Sequence, residues 1–394
     1  MALLERITIH GYRGARDVAL APGARCVLVG ESSSGKSTVL SAIWTLLEAA
    51  APMPTGENLS RGHTRVHIEA TAGNRTLFLD ARPPATINLN REGAPPALFF
   101  PANLRPTTLL AAADHPAKRA IGVVRATEVN PDGGLSLVRS IAALVEAKVR
   151  GLVVLIEEPE LYLSPPAQRH LHRLLRRLSA AGRNQVIYST HSPTFLGIDR
   201  LDELVLVRHD DRTGTMLVQP EPLTDRKSFR IHAEIDAERA EMFLSRAVLF
   251  VEGRTEKFAF PFVFEALGYD ADQEAIVIID CGGKGNMPFF AEICNATGIP
   301  YVIVHDQDAP RGKAPAEAEQ IANEAILRTA GKRRSIMLVP DFEGVTGLKV
   351  RRGKPAAAYR RFNSGNGDVP GPLRQAVARV VAAARRAPRS TRGA

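Results

Sequence analysis

The strongest constraint on the fold of this chain is the short stretch "GESSSGKS", residues Gly30–Ser37. It matches the pattern G-x-x-x-x-G-K-[ST]. The hydrophobic segment Cys26–Val29 before it indicates a buried strand, and apolar residues at helical spacing follow it, from Val39 to Leu47. Strand, glycine-containing loop and helix in this order predict a phosphate-binding loop, because backbone N–H groups and the positive end of the helix dipole then face the phosphates.

The polar side chains of this loop have expected roles in holding a nucleotide. Lys36 would reach the outer phosphates, and the Ser37 hydroxyl would bind Mg²⁺. The loop and the start of the helix supply the candidate nucleotide-binding residues: Gly30, Ser34, Gly35, Lys36, Ser37 and Thr38.

A second segment, "GLVVLIEEPELYLSP", predicts the partner of this loop. Leu152–Ile156 is a continuous apolar run, which is typical of a central parallel strand. The run ends in Glu157 and Glu158. We expect Glu157 to hold Mg²⁺ directly or through water, and Glu158 to polarise the attacking water.

The stretch "QVIYSTHSP" repeats the arrangement about thirty residues later. Gln185–Tyr188 is predicted as a strand, and His191 lies just beyond its end, where a sensor of the γ-phosphate is expected. A lone histidine is more often an ordinary surface or core residue. Its position after the two preceding motifs favours the functional interpretation.

The order of "GESSSGKST", "DGGLSLVRSI", "LIEEPELYLSP" and "YSTHSP" resembles the ABC-type ATPases of the RecF, SMC and OLD (overcoming lysogenization defect) group. This resemblance implies ATP as the ligand, Glu157 as the magnesium-associated acid, Glu158 as the catalytic glutamate and His191 as the switch histidine. It also implies that Gly133–Arg139 is a signature segment, which in such ATPases meets ATP bound to a second subunit. A homodimer or higher homo-oligomer is therefore expected.

Three positions depart from the pattern of that group. The loop has "SSS" where "NGS" is usual, the signature segment is loose, and Glu157 replaces an aspartate. The glutamate is longer by one methylene, which changes the geometry around Mg²⁺. These departures favour ATP binding over efficient hydrolysis.

The second half of the chain alternates predicted strands and helices. Val248–Val251 is a short apolar strand, Thr255–Leu267 a helix, and Ala275–Asp280 and Tyr301–Val304 are further strands. Alternation of this kind predicts a parallel sheet covered by helices on both faces. Ligands of such sheets gather beyond the carboxyl ends of the strands.

Carboxylates follow two of these strands. Glu252 follows the first, with Glu256 one helical turn later, and Asp306 and Asp308 follow the strand "YVIV". In extended chain, Asp306 and Asp308 point to the same side. Asp and Pro are also common where strands end in turns. Four carboxylates converging from two strand ends favour Mg²⁺ or Mn²⁺, hard cations that prefer oxygen ligands.

The pattern "VEGRTE" followed about 50 residues later by "DQD" resembles a Toprim domain, and the whole order resembles the OLD-family ATP-dependent endonucleases. The resemblance implies metal ligation by Glu252, Glu256, Asp306 and Asp308. Of Asp341 and Glu343 in "PDFEG", we favour Glu343 as a further metal ligand.

Two lysines have implied roles at the same site. Lys354 stands where the family carries a lysine that stabilises charge in the transition state, and its alternative role is a phosphate contact. Lys284, in "GGKGN", either contacts the scissile phosphate or only caps the helix that follows. Two other functions of Toprim proteins are not expected. A topoisomerase would need a domain that presents a tyrosine, and the motifs leave no segment for one. A primase would be expected to carry a zinc module, and three scattered cysteines do not form one.

Length and composition agree with a multidomain protein of 394 residues with three cysteines, Cys26, Cys281 and Cys294, which we expect to be reduced. No apolar run reaches the roughly 18 residues of a membrane span, and no signal layout is present at the N-terminus. A cytoplasmic location without membrane association is expected.

We predict three segments: an ATPase domain 1–240, a Toprim domain 241–350, and a basic helical segment with a tail 351–394.

The net charge of +9 is unevenly distributed. From Gly331 to Ala394 there are 15 Lys and Arg against 3 Asp and Glu, a net of +12, so the first 330 residues sum to about −3 by difference. Clustered Lys and Arg favour a polyanion partner, although a solvated basic surface is the alternative.

The function these patterns favour is an ATP-binding and ATP-hydrolysing, divalent-metal-dependent endonuclease that hydrolyses DNA. Two alternatives remain open at this stage. One is an ATPase clamp that binds nucleic acid without cutting it, and the other is a Toprim ribonuclease that acts on structured RNA.

Overall fold

The computed structural model describes residues 3–48, 54–83, 86–102, 133–180, 184–196, 200–222, 230–231, 233–308, 316–348, 353–363 and 368–388. The chain divides into two compact units, Met1–Ala240 and Glu241–Ala387. Within the described residues, no helix is both long enough and apolar enough to cross a lipid bilayer.

The first unit contains eleven named strands and four helices among its described residues. The strands are β1 (Arg6–Tyr12), β2 (Ala15–Leu20), β3 (Arg25–Val29), β4 (Val66–Ala72), β5 (Arg75–Arg82), β6 (Thr86–Asn90), β7 (Ala97–Phe100), β8 (Val153–Glu157), β9 (Gln185–Thr190), β10 (Leu204–Asp210) and β11 (Gly214–Val218). The helices are α1 (Lys36–Leu47), α2 (Gly133–Glu146), α3 (Pro165–Ala180) and α4 (Ala237–Ala240).

A six-stranded sheet forms the centre of this unit, in the order β11-β10-β3-β9-β8-β7. Strands β10, β3, β9, β8 and β7 pair with one another in parallel, and β11 pairs antiparallel with β10 at one edge. Every residue of β3 and β9 is buried, as expected for central strands of a parallel sheet. The parallel sheet predicted around the phosphate-binding loop is therefore confirmed.

A second sheet of the first unit has five antiparallel strands in the order β2-β1-β4-β5-β6. Its core face comes from alternating residues such as Ile7, Ile9, Leu77 and Leu79, all fully buried. Sequence analysis did not assign this sheet, although alternation with a period of two was the available signal.

The segment around Ala97 differs from what its sequence indicates. The prolines and short apolar runs of residues 95–118 predict loop and short helix, but Ala97–Phe100 is a strand that pairs in parallel with β8. The Ala97 N–H donates to the Glu48 carboxylate at 2.9 Å, and both residues are buried. This apolar run is too short to distinguish a strand from a helix by periodicity. Residues 103–132 lie outside the described residues.

The second unit contains four strands and six helices among its described residues. They are β12 (Ala247–Val251), α5 (Arg254–Ala266), β13 (Ile276–Asp280), α6 (Met287–Thr297), β14 (Tyr301–Asp306), α7 (Glu317–Ala330), β15 (Ser335–Leu338), α8 (Phe342–Thr346), α9 (Lys354–Asn363) and α10 (Gly371–Arg386). The strands form a sheet in the order β13-β12-β14-β15, and all three pairings are parallel. The α/β fold predicted for this half is confirmed.

The two C-terminal helices belong to the hydrophobic core of this unit. Phe362 of α9 and Leu373, Val377 and Val380 of α10 are buried in the same cluster as Leu249 of β12. The boundary that the sequence suggested between residues 350 and 351 thus falls within a packed unit that extends to Ala387. The basic side chains of α10 lie on its outer face, because its apolar positions recur at helical spacing.

Candidate nucleotide and metal sites

The phosphate-binding loop is shaped by two glycines with positive φ. Gly30 has φ of 158° and Gly35 has φ of 110°. A Cβ at Gly30 would lie 2.0 Å from the carbonyl oxygen of Val207, and one at Gly35 would lie 2.2 Å from Thr215 Oγ1. Any side chain at either position would therefore force the loop away from β10 and β11. Glycine is required here by both conformation and space.

Lys36 folds back over this loop. Its side chain is buried, and Nζ donates to the carbonyl oxygens of Gly30 at 2.9 Å and Glu31 at 2.8 Å. Burial lowers the pKa of Lys36 to about 8, and the nearby carboxylates of Glu158, Glu160 and Glu31 oppose this shift. The ammonium group is thus held at the concave side of the loop, close to where phosphate oxygens are expected.

The loop also contains a buried polar group without a partner. Ser34 Oγ has no hydrogen-bond partner among the described residues, and a buried hydroxyl in this state costs free energy. Together with the glycine cradle and Lys36, it fits an anionic ligand such as a nucleotide phosphate. Ser37 and Thr38 begin α1 next to Lys36, and the Ser37 side chain is exposed.

Glu157 lies at the carboxyl end of β8, and the structure brings it to Ser37. Its carboxylate accepts hydrogen bonds from the Ser37 hydroxyl and from the Ala102 N–H, the latter at 3.2 Å. Burial raises the pKa of Glu157, and these two hydrogen bonds oppose the shift. The residue predicted to be associated with magnesium and the hydroxyl predicted to bind it therefore adjoin each other.

Glu158 and His191 also come together. Glu158 has φ of 44°, and its N–H donates to the Ser189 carbonyl at 3.0 Å, which fixes this turn to the end of β9. His191 Nε2 lies 3.7 Å from Glu158 Oε1. Burial and the positive charge of Lys36 lower the pKa of His191, while Glu158 opposes the shift.

Glu160 is a residue that sequence analysis did not assign. Its Oε1 accepts the His191 backbone N–H at 2.6 Å, and the Thr190 side chain also donates to this carboxylate. The other oxygen, Oε2, is buried with no hydrogen-bond partner among the described residues. Burial raises its pKa. The sequence signal that could have identified Glu160 is its place as the third glutamate of "EEPE", directly after the proline.

The signature segment Gly133–Arg139 forms the first two turns of α2. Two glycines therefore stand at a helix N-terminus, where backbone N–H groups lack partners within the helix. Contact of this segment with phosphate stays a prediction.

The second group of predicted residues gathers at the carboxyl ends of β12 and β14. These strands are neighbours, with Phe250 opposite Ile303. Glu252 follows β12, and its carboxylate accepts the Asp306 N–H at 3.4 Å. Glu256, in the first turn of α5, accepts the Gly253 N–H at 3.2 Å and so caps its own helix.

The electrostatics of this group are dominated by burial and mutual repulsion. Burial raises the pKa of Asp306 to about 8, and the charges of Glu256, Glu252, Asp308 and Glu343 add to the shift. Burial likewise raises the pKa of Glu256 to about 7, with contributions from Glu252 and Glu343. All five carboxylates predicted as metal ligands therefore act on one another.

Two lysines hold the outer members of the group. Lys284 Nζ lies 2.5 Å from Asp308 Oδ2, and Lys354 Nζ lies 2.5 Å from Glu343 Oε1. The hydrogen bond to Glu343 raises the pKa of Lys354. Asp341 instead accepts the Gly344 N–H at 2.6 Å, as the N-cap of α8.

Because several of these carboxylates have partners within the chain, they do not all point to one common position. Across the ranges that the structure describes, no group of three or more His, Cys, Asp or Glu residues is arranged to hold a metal ion. Asp308 and Glu343 point to lysines, and Glu256 points to a backbone N–H. The donor set consists only of carboxylate oxygens under mutual repulsion, which suits Mg²⁺ or Mn²⁺ chemically. Metal ligation by this set remains a proposal.

Family models match three stretches of the chain. Residues 243–308 match the family described as "Overcoming lysogenization defect protein-like, TOPRIM domain". Residues 115–197 match "AAA domain, putative AbiEii toxin, Type IV TA system", and residues 1–55 match "Protein of unknown function (DUF2813)".

Two curated nucleases and one solved structure are similar to parts of this chain. The chain is 37% identical over 213 residues to the OLD nuclease of Thermus scotoductus, covering 50% of this chain and 40% of that protein. It is 31% identical over 169 residues to the Old nuclease of Escherichia phage P2, covering 41% and 29%. The solved C-terminal region of the Burkholderia pseudomallei OLD protein is 18% identical and covers 36% of this chain and 99% of that one, with a TM-score of 0.30.

The chain therefore joins an AAA-type ATPase domain to a Toprim domain. The Toprim domain is of the OLD-like kind, and the resemblance to the OLD family that the motifs indicated is confirmed. The chain spans less than half the length of the curated relatives it matches.

The electrostatic effect of Lys36 on His191 can be tested by titration. Because the Lys36 charge helps to lower the pKa of His191, Lys36→Met should move that pKa upward, toward the ordinary value near 6.5. Histidine NMR resonances, followed between pH 4 and pH 8 at about 25 °C, would measure it, with His191→Gln to assign the signal. An unchanged or lower pKa of His191 in Lys36→Met would contradict the proximity of the two groups.

Proposed function

We propose that this protein is an ATP-binding and ATP-hydrolysing, divalent-metal-dependent endonuclease that hydrolyses phosphodiester bonds in DNA. The observation that carries the proposal is the convergence of Glu252, Asp306 and Asp308 at two adjacent strand ends, next to Lys284. This acidic group lies in the unit that follows the ATPase motifs in the sequence. The similarity to OLD nucleases supports the same activity.

In the first unit, the residues present would hold the nucleotide and a water molecule. The loop N–H groups and Lys36 would bind the phosphates, while Ser37 and Glu157 would hold the magnesium ion between them. Glu158 would take a proton from the attacking water, and the neutral form of His191, 3.7 Å from Glu158, would contact the γ-phosphate. Glu160 would fix the backbone of His191 in this position.

In the second unit, Glu252, Glu256, Asp306, Asp308 and Glu343 would hold Mg²⁺ or Mn²⁺. A pair of such ions, when bound, supplies activation of water and stabilisation of the leaving oxygen. The chain itself contributes a cationic rim. Lys354, whose side chain is 42% exposed, can turn from Glu343 to a phosphate oxygen and stabilise charge that develops there.

The basic character of the C-terminal part supports a nucleic-acid substrate. Lys332 and Arg333 are exposed in the turn before β15, and Arg386 is exposed at the end of α10. Such side chains bind phosphates without reading sequence. We favour DNA as the substrate, and RNA is the alternative polymer, because hydrolysis of either backbone uses the same metals.

One observation favours a second candidate function, a clamp that binds nucleic acid without cutting it. Asp308 and Glu343 are both paired with lysines. If these pairs persist with nucleic acid bound, the lysine charges weaken both carboxylates as metal ligands. In either function, two copies of the chain would meet through Gly133–Arg139 and ATP, which makes a homodimer the expected assembly.

The nuclease proposal predicts the effect of Asp306→Ala. This change removes the most strongly perturbed carboxylate of the group, so nicking of supercoiled plasmid in Mg²⁺ or Mn²⁺ should fall at least about a hundredfold, as for loss of other key groups in an active site. Asp272→Ala, an exposed aspartate of the same unit, is the control and should keep full activity. Gel analysis of relaxed and linear products measures both, with a structured RNA as a second substrate. Retained nicking by Asp306→Ala would contradict the assignment.

The ATPase proposal predicts that Lys36→Ala abolishes ATP hydrolysis, because no other described side chain spans the loop carbonyls as Lys36 does. Phosphate release at saturating ATP measures this loss. Arg169→Ala removes an exposed positive charge of α3 and should hydrolyse ATP at the unaltered rate. Hydrolysis by Lys36→Ala at the rate of the unaltered protein would show that the first site is misidentified.

A further inference from the structure

Lys284 occupies an unusual place at the edge of the acidic group. It begins a short 3-10 helix, Lys284–Asn286, just after β13, and its side chain is only 5% exposed. The preceding Gly283 has φ of 116°, and its N–H donates to the Glu252 carbonyl oxygen at 2.9 Å. The backbone that carries Lys284 is therefore attached to the end of β12, where Glu252 stands.

The Lys284 ammonium group bridges two carboxylates from different elements. Nζ lies 2.5 Å from Asp308 Oδ2 and 2.7 Å from Glu319 Oε2. Asp308 is fixed on its own side, since its N–H donates to the Pro340 carbonyl at 2.9 Å. Glu319 lies in the first turn of α7, and neither the motifs nor the family matches single it out. A buried lysine thus holds one carboxylate of the acidic group and one carboxylate outside it.

The Lys284 ammonium group therefore supplies a positive charge to Asp308, one of the proposed metal ligands. The ammonium group holds Oδ2 of Asp308, and a divalent ion on the same carboxylate would repel that ammonium group at close range, so the two cations weaken each other's binding to Asp308. Glu319 allows Lys284 to remain paired in a buried place when it releases Asp308, which avoids the cost of an unpaired buried charge.

We propose that Lys284 competes with the divalent cation for Asp308, and that Glu319 is the partner that retains Lys284 when the cation binds. This inference rests on the proposed metal site and adds a residue pair that regulates its occupancy. Lys284 and Glu319 are positioning residues here, since they act on the metal site through Asp308.

The two residues should have opposite effects on metal affinity. Lys284→Met removes a positive charge and frees Asp308, so the affinity for Mn²⁺ should rise by about tenfold or more, the size expected for a charge a few ångströms from a partly buried site. Glu319→Gln leaves Lys284 with Asp308 alone, so the affinity should fall severalfold. A residue with only a structural role would lower the affinity, or leave it unchanged, in both variants.

The experiment is a Mn²⁺ titration of the full chain without nucleic acid, with free Mn²⁺ measured by EPR. Glu317→Gln is the matched control for Glu319→Gln, because Glu317 lies in the same first turn of α7 but is exposed and does not contact Lys284. It removes the same charge and should change the affinity less than twofold. Far-UV circular dichroism of each variant verifies folding, and if Lys284→Met does not fold, the difference between the two glutamate variants decides.

The outcomes separate this inference from the proposed function. Binding of Mn²⁺ by the unaltered chain, with higher affinity in Lys284→Met and lower affinity in Glu319→Gln, supports competition. Binding by the unaltered chain with equal affinity in all variants overturns the inference and leaves the nuclease proposal intact. No binding of Mn²⁺ by any of the proteins overturns both. Adding Asp308→Asn to Lys284→Met should cancel the gain, as a coupled pair requires.

Discussion

Parallel strands that end at the same edge of a sheet are the constraint on which both candidate sites depend. In the first unit, β8 and β9 end side by side, which brings Glu158 within 3.7 Å of His191. In the second unit, β12 and β14 end side by side, which brings Glu252 to Asp306. Neither pair is close in sequence. The buried apolar strands fix the positions, and the polar residues that follow them supply the chemistry.

Repulsion among buried carboxylates is the main energetic feature of the second unit. Asp306 and Glu256 both have pKa values raised to near or above neutral, about 8 and about 7. Cations relieve this repulsion, and the chain provides two of its own, Lys284 and Lys354. Under the proposed function, divalent ions would relieve the same repulsion, and exchange between lysines and divalent ions would distinguish a nuclease from a non-cutting clamp.

Site residues that directly follow strands could be predicted from the sequence. Site residues that act through side-chain contacts with distant elements could not. The loop at Lys36 and the carboxylates after β8, β12 and β14 follow apolar runs, so their clustering could be expected. Glu160 and Glu319 act through contacts across elements far apart in sequence, which no local pattern encodes. The antiparallel sheet and β7 were missed because short strands carry weak periodicity. His305 was left unassigned, and in the structure its ring bonds to Asn323 and Ser335.

The central claim is that the acidic group at the ends of β12 and β14 binds a divalent cation, and anomalous diffraction from crystals soaked in Mn²⁺ tests it most directly. We expect an anomalous peak about 2.0–2.3 Å from carboxylate oxygens of Asp306 and Asp308, close to the metal–oxygen distances of such ions. Lys284 should then contact Glu319 alone. A map with no peak at this edge of the sheet, and with Lys284 still paired to Asp308, would contradict the claim.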